Sequence, residues 1–184
     1  VKDVAAIASG QNHGCVAHKD GTVSCWGYSG KQLDPTKIEG AVDVAALAAK
    51  AGGDDTCAIT NAQTVLCWGS YDLKAKPVEG LTGVVGLTAR THFCAVKVDG
   101  TVWCWGGNQR GQLGNGQMGS DVSRPTQGVG VTDASAVSAG AQTSCALRKT
   151  GQVLCWGINR FGQLGDGTLV DRSSPVEVKH LNDK

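Results

Sequence analysis

Proline is scarce in this chain of 184 residues, which holds only 4, together with a single methionine, two phenylalanines and two tyrosines. No run approaches the roughly eighteen apolar residues that a membrane-spanning helix requires, so no helical span is expected. Charge of one sign is also missing. Seventeen basic against sixteen acidic side chains leave a formal charge of +1, and no stretch of Lys or Arg could track a phosphate backbone, which argues against nucleic acid as a partner. There is no Cys-x-x-Cys pair of the kind structural zinc sites use, no Gly-x-Ser-x-Gly, no P-loop and no Asn-x-Ser/Thr acceptor. Catalytic, metal and cofactor groups are therefore all expected to be none. The start at Val1 shows no charged n-region, apolar core or cleavage site, and with no initiator Met the expectation is a mature or excised piece of a longer product.

Glycine and cysteine are present in excess, at 27 and 8 residues. The cysteines organise the chain. A paired-cysteine unit ending in Trp-Gly recurs as CVAHKDGTVSCWG (15 to 27), CAITNAQTVLCWG (57 to 69), CAVKVDGTVWCWG (94 to 106) and CALRKTGQVLCWG (145 to 157). Nine residues separate the two cysteines in every copy, while the distance between copies varies, so a fixed unit is joined by elastic connections. Approximate repeats run 1–40, 41–80, 81–131 and 132–184 within a single repeat domain.

Each unit reads as a β-hairpin, because short β-prone runs flank Lys19-Asp20-Gly21, Val98-Asp99-Gly100 or Lys149-Thr150-Gly151. These fit a three-residue loop closed by a left-handed glycine. That loop fixes the register: with His18 opposite Thr22, Ala17 pairs with Val23, Val16 with Ser24 and Cys15 with Cys25. The two cysteines then face one another at a non-hydrogen-bonded position, where α-carbons approach to about 4.5 Å and a disulfide can form. Eight cysteines allow on the order of a hundred pairings, from which the repeat symmetry selects Cys15–Cys25, Cys57–Cys67, Cys94–Cys104 and Cys145–Cys155. Asn61-Ala62-Gln63 lacks the glycine, so the second copy is expected to turn differently. Bridges of this kind imply an oxidising compartment, hence a secreted or cell-surface protein.

Before each hairpin lies a further alternating or small-residue apolar run, such as Asp3-Val4-Ala5-Ala6-Ile7, and after each a proline-containing strand, as in Lys76-Pro77-Val78 or Ser174-Pro175-Val176. The alanine-rich stretch 44 to 51 is read as strand from its place in the repeat. Three to four short antiparallel strands per copy is the inventory of a propeller blade, so the fold class is all-β, with four β-propeller-type blades forming part or half of a larger propeller.

The hairpins with Trp-Gly, Ala-Ser-Gly-x-x-His at 8 to 13, GGNQRGQLGNG at 106 to 116 and GINRFGQLGDGT at 157 to 168 resemble the regulator of chromosome condensation repeat family across nearly the whole chain. The resemblance implies a propeller of four-stranded blades, usually seven. It also implies a role as a protein-interaction platform, as in nucleotide exchange on a small nuclear GTPase or secreted inhibition of other proteins. The Gln-Leu-Gly segment is eroded to Lys31-Gln32-Leu33 in the first copy and missing from the second. The histidine of positions 13 and 92 is replaced by Asp55 and Thr143.

Remaining motifs read as structural. Trp26, Trp68, Trp105 and Trp156 recur once per hairpin and are expected to pack between blades, with Trp103 packed locally; His13 and His92 are expected to hydrogen-bond within their blades. Gly114-x-Gly116-x-x-Gly119 matches a dinucleotide-binding string, but no helix can follow it. Asp54-Asp55 is expected to be a solvated loop. The long loops 107 to 124 and 158 to 174 hold the candidate partner-binding residues Arg110, Met118, Arg160, Phe161 and Arg172, since aromatic, Met and Arg side chains are enriched in interface cores. The expected function is a non-enzymatic extracellular protein-binding module, with protein partners or self-association. A structural component of a surface multimer and an enzyme with a site scattered across blades are the alternatives.

Overall fold

The computed structural model describes residues 3–28, 32–179 and 181, so Lys31 of the eroded first-copy segment lies outside the described residues. Among the described residues sixteen strands form four sheets of four, each antiparallel and ordered as the chain runs. The first blade holds β1 (Val4–Ser9), β2 (His13–His18), β3 (Val23–Gly27) and β4 (Gln32–Lys37). The second holds β5 (Val44–Ala49), β6 (Thr56–Thr60), β7 (Val65–Gly69) and β8 (Asp72–Pro77). The third comprises β9 (Val84–Ala89), β10 (His92–Lys97), β11 (Val102–Gly106) and β12 (Val122–Gln127). The fourth comprises β13 (Ala134–Ala139), β14 (Thr143–Arg148), β15 (Val153–Gly157) and β16 (Arg172–Glu177). The chain divides into two compact units, Val1–Arg90 and Thr91–Lys184.

The hairpin register is the one the turn chemistry dictates: Ala17 faces Val23, Val16 faces Ser24 and Cys15 faces Cys25, and the other three blades repeat it. All four intra-hairpin disulfides are formed, each with its α-carbons 4.1 Å apart. Alternation then assigns each hairpin residue to one of two flanks. In the third blade Cys94, Val96, Val102 and Cys104 face the fourth blade and enter one apolar cluster with its Ala134, Ala146 and Trp156. In the first blade Cys15, Ala17, Val23 and Cys25 share a cluster with Val44, Ala58 and Trp68 of the second. We call the side turned to the next copy the trailing flank and the other the leading flank. The Cys15–Cys25 and Cys94–Cys104 bridges thus belong to the trailing flank and to the packing between blades.

The Trp-Gly dipeptide has a backbone cause. Pairing between the third and fourth strands of each sheet slips at the tryptophan, and Gly27, Gly106 and Gly157 sit there at φ of 99°, 105° and 108°. A Cβ on Gly27 would stand 2.3 Å from the Asn12 carbonyl oxygen. No other residue fits.

The second copy does not turn differently. Thr60 N–H bonds Thr64 O at 3.0 Å and Gln63 N–H bonds Thr60 O at 2.8 Å, the same pair of bonds that His18 and Gly21 make in the first copy. Gln63 simply adopts the left-handed conformation, with φ of 59°. The loop is held by its neighbours, for Asn61 N–H donates to Asp43 O and the Gln63 carbonyl accepts from Val84 N–H. Tertiary contacts override a local preference of about 1 kcal/mol. Gln63→Gly is therefore expected to raise stability by about 0.5–1 kcal/mol, read as a shift of the denaturant midpoint at unchanged slope. A midpoint that falls would mean that the glutamine side chain, and not only its backbone, supports the turn.

Candidate functional site

The long loop of the third blade is shaped from within and spent on its neighbour. Asn108 Oδ1 accepts from Leu113 N–H at 3.2 Å and the Gln112 side chain accepts from Arg110 N–H at 2.9 Å, closing 108 to 113 into a compact turn that buries Gln112 and Leu113. The Gln112 carbonyl then receives two donors from the fourth blade, the Trp156 indole N–H at 2.8 Å and the Ser144 hydroxyl at 2.8 Å. Because the single Ser144 proton is committed to that carbonyl, the 2.6 Å contact between His92 Nε2 and Ser144 Oγ is donated by the imidazole. A second strut follows at the rim, where Gly116 N–H bonds Ser173 O and Arg110 reaches Asp171 at 3.7 Å.

The first and second blades meet through the same plan with one substitution. His13 Nε2 lies 2.7 Å from Thr56 Oγ, so the histidines bond across the seam to the next blade, not within their own blades as the repeat suggested. The hydroxyl that receives each one precedes the cysteine of the following copy. With the Gln-Leu-Gly turn eroded, Tyr28 takes its place: the ring is buried, stacks on His13 at 4.7 Å and sets its hydroxyl 3.8 Å from Cys15 Sγ. Burial raises the Tyr28 phenol above its usual pKa, and the adjacent Trp68 and Thr56 side chains draw it partly back. Trp68 Nε1 makes no hydrogen bond of normal geometry, so its approach to Tyr28 is a weak polar contact and not the counterpart of the Trp156 bond.

Trp68, Trp105 and Trp156 are buried as expected, whereas Trp26 is half-exposed on the leading flank of the first blade. Trp103 is packed locally, its indole bonded to Thr101 Oγ at 3.0 Å and the Lys97 ammonium 5.7 Å above its ring. The Gly114 to Gly119 string lies in the loop before β12, with no helix after it. Asp55 pairs with Lys50 at 3.0 Å in an exposed loop. Among the described residues no group of three or more His, Cys, Asp or Glu is placed to hold a metal ion, and no helix is long and apolar enough to cross a membrane.

The corresponding loop of the fourth blade is equally well built. Asn159 Oδ1 accepts from Leu164 N–H, and its amide reaches Asp166 at 3.0 Å. Hydrogen bonds from Thr168 above all, then from Arg172 and Asn159, hold the Asp166 carboxyl well below the usual carboxylate range. Arg172 makes two bonds to that carboxylate, at 2.8 and 2.9 Å, and so serves as a strut of the loop. Phe161 projects from this frame at 90% exposure beside exposed Arg160, and Leu169 and Val170 of the same loop are 68% and 58% exposed. In the third blade Met118 is 47% exposed, while Arg110, the counterpart of Phe161, is drawn onto Asp171. The structure therefore sets Phe161, Arg160 and Met118 at the surface and occupies Arg110 and Arg172 with ion pairs.

Two profiles of the regulator of chromosome condensation (RCC1) repeat match the chain, one over residues 4–31 and 134–163, the other over 99–147 and 150–184. The chain belongs to the RCC1 repeat family. The RCC1 domain-containing protein RUG3, mitochondrial, of Arabidopsis thaliana is 28% identical over 98% of this chain and 48% of its own length. For the ultraviolet-B receptor UVR8 of the same plant the figures are 25%, 97% and 46%. The human E3 ubiquitin-protein ligase HERC2 is 31% identical over 97% of the chain but only 4% of its own length. The chain thus spans about half the length of RUG3 and UVR8. Among solved structures, human WBSCR16 matches at a TM-score of 0.79 and 22% identity, over 98% of this chain and 54% of that one. Prp20p of Saccharomyces cerevisiae matches at 0.78 and 21%, over 95% and 50%. These likenesses establish the fold: the four sheets are RCC1-type propeller blades, about half the complement of the propellers they match.

The seam between the first two blades yields a pH prediction. Burial lowers the His13 pKa from the ordinary histidine value of 6.5, against a smaller opposing pull from Asp54 and Asp55. The unfolded chain then binds more protons than the folded one in this range, so the contribution of His13 is complete above about pH 6.5 and is lost as the pH falls below it. Denaturant midpoints measured from neutral to mildly acidic pH should drop for the parent protein and drop less for His13→Gln. Equal slopes would place the acid sensitivity elsewhere.

Proposed function

We propose that this chain is a non-enzymatic protein-binding module of a secreted or cell-surface protein, and that it contacts its partner through the rim loop of the fourth blade. The observation that carries the reading is Phe161, an almost fully exposed aromatic ring on a loop held rigid by Asn159, Asp166 and Arg172. A large apolar side chain presented without the entropy cost of ordering its loop is the profile of an interface anchor. Arg160 beside it and Met118 on the third blade add the residue types that interface cores favour, while Arg110 and Arg172 keep the loops in place. The relatives are consistent with such a role. One solved structure is of Kap60 bound to yeast RCC1 (Prp20), and another study of Prp20p describes its binding properties to Gsp1p and histones.

The extracellular part of the proposal rests on the four bridges, since disulfides persist where the environment is oxidising. Each closes a short loop and contributes at most about 2–3 kcal/mol, so the set together is comparable with the entire stability of a typical domain. A chain dependent on these bridges would fold poorly in a reducing cytosol.

Two measurements test the proposal. Alkylation of the protein in its native compartment, before any reduction, should find no free thiol; labelled cysteines there would remove the case for secretion. For a protein captured by the intact chain, Phe161→Ala and Arg160→Ala should each weaken binding by about 1–2 kcal/mol with the fold unchanged. Losses within about 0.5 kcal/mol for both would show that this rim is not the contact.

A further inference from the structure

An asparagine followed by glycine is chemically labile, because no side chain on the glycine keeps its backbone nitrogen away from the neighbouring amide carbon. The chain holds one such pair, Asn115-Gly116, in the long loop of the third blade. Asn115 is half-buried and Gly116 exposed, so water and hydroxide reach both. The backbone around them is nevertheless fixed. Asn115 Oδ1 accepts from Gln117 N–H at 3.1 Å, and Gly116 N–H donates to Ser173 O of the fourth blade at 2.9 Å. Asn108 holds the far side of the loop, its amide donating to Gln117 O and its carbonyl accepting from Gly119 N–H.

The fourth blade shows what an acid at this place requires. Asp166-Gly167 aligns with Asn115-Gly116, and Asp166 Oδ1 accepts from Thr168 N–H at 2.9 Å as Asn115 accepts from Gln117. Its carboxylate is bonded further by the Thr168 hydroxyl and by Arg172. In the third blade Gln117 and Val122 stand at those two places. A carboxylate at position 115 would therefore lack both of those donors, and the amide is the form the loop is built around.

We propose that Asn115 is a site of spontaneous deamidation gated by the seam between the third and fourth blades. In the reaction the Gly116 nitrogen, having lost its proton to hydroxide, bonds to Asn115 Cγ. The Cγ–Nδ2 bond breaks, and the side-chain nitrogen leaves as ammonia with a proton taken from water. Water then opens the cyclic imide at either carbonyl, giving Asp or, with the backbone rerouted through Cγ, isoaspartate. While the rim is closed the Gly116 proton is held on Ser173 O, and the nitrogen cannot keep that bond and also turn onto Cγ. Reaction proceeds through the opened rim, at a rate that follows the open population. The two products differ in consequence. Asp keeps the backbone path and with it the Gly116 bond, whereas isoaspartate adds one carbon to the path ahead of Gly116 and displaces its N–H from Ser173. A rim that has reacted by the second route no longer closes as before.

The oxidised chain is incubated in mildly alkaline buffer, folded and in denaturant, and the peptide carrying Asn115 is followed by mass and by enzymatic methylation of isoaspartate. An Asn115→Gln chain supplies the background from other amides. Conversion at Asn115 should be at least about tenfold slower in the folded chain, the protection given to an amide released only by local opening. Across sub-denaturing concentrations it should rise in step with hydrogen exchange at the Gly116 amide. Asn115→Asp should retain slow exchange there, whereas the isolated isoaspartyl form should exchange faster with all four bridges intact. Equal rates in the folded and unfolded chains, or an Asn115 that survives in denaturant, would overturn the proposal. So would Gly116 exchange that does not track conversion, or an isoaspartyl form with an undisturbed Gly116 amide.

Discussion

The Gln112 carbonyl, buried between the third and fourth blades, accepts the Trp156 indole N–H and the Ser144 hydroxyl together, and the packing around it follows from that arrangement. Burying a tryptophan without a partner for its N–H carries a cost, and here the N–H has one. The carbonyl is held in place by the turn 108 to 113, which Asn108 closes, and the serine that bonds it also accepts from His92. A hairpin flank carrying a disulfide and two small or branched apolar side chains cannot cover itself, so the first blade relies on the second, and the third on the fourth, to complete its core. The requirement is local and recurrent, which is why one short pattern suffices to specify it.

The first seam shows that the requirement can be met by different residues. Where the first copy departs from Gln-Leu-Gly, Tyr28 fills the volume with a stacked ring and sets a hydroxyl among Cys15, Thr56 and Trp68. The substitution is imperfect, since the Trp68 N–H lacks a bond of good geometry. An unpaired buried donor costs roughly 1–3 kcal/mol, so the seam with the shorter loop is the weaker of the two. Its histidine also stays poised against protonation, with Nδ1 buried and without a partner.

Much of this was legible in the residues. Strand pairing, bridge pattern and blade count follow from a nine-residue spacing and a three-residue turn, because a hairpin register is fixed by its loop. What crossed from one copy to another was harder to read. The histidines looked intra-blade because their hydroxyl partners stand some forty to fifty residues away, at |i−j| of 43 and 52. The signal was nonetheless present: copies with histidine two residues before the first cysteine are followed by copies with Thr56 or Ser144 just before theirs. Tyr28 was passed over because its role depends on the absence of a loop, and Gln63 because a neighbour's backbone supports its conformation. The rim residues divided for a similar reason. Composition alone could not separate Phe161, which projects, from Arg110 and Arg172, which are drawn onto Asp171 and Asp166.

Confining each bridge to its own hairpin also bears on how the chain acquires its covalent form. The two cysteines of a pair are separated by 10 positions, so a nascent hairpin brings them together at the rate of short-loop closure, on the order of tens of nanoseconds. A pairing between copies must close a much longer loop and contends with that head start. Oxidation can therefore proceed copy by copy as the polypeptide emerges, with little call for reshuffling. Addition, loss or exchange of a blade over evolutionary time leaves every remaining cysteine with its own partner.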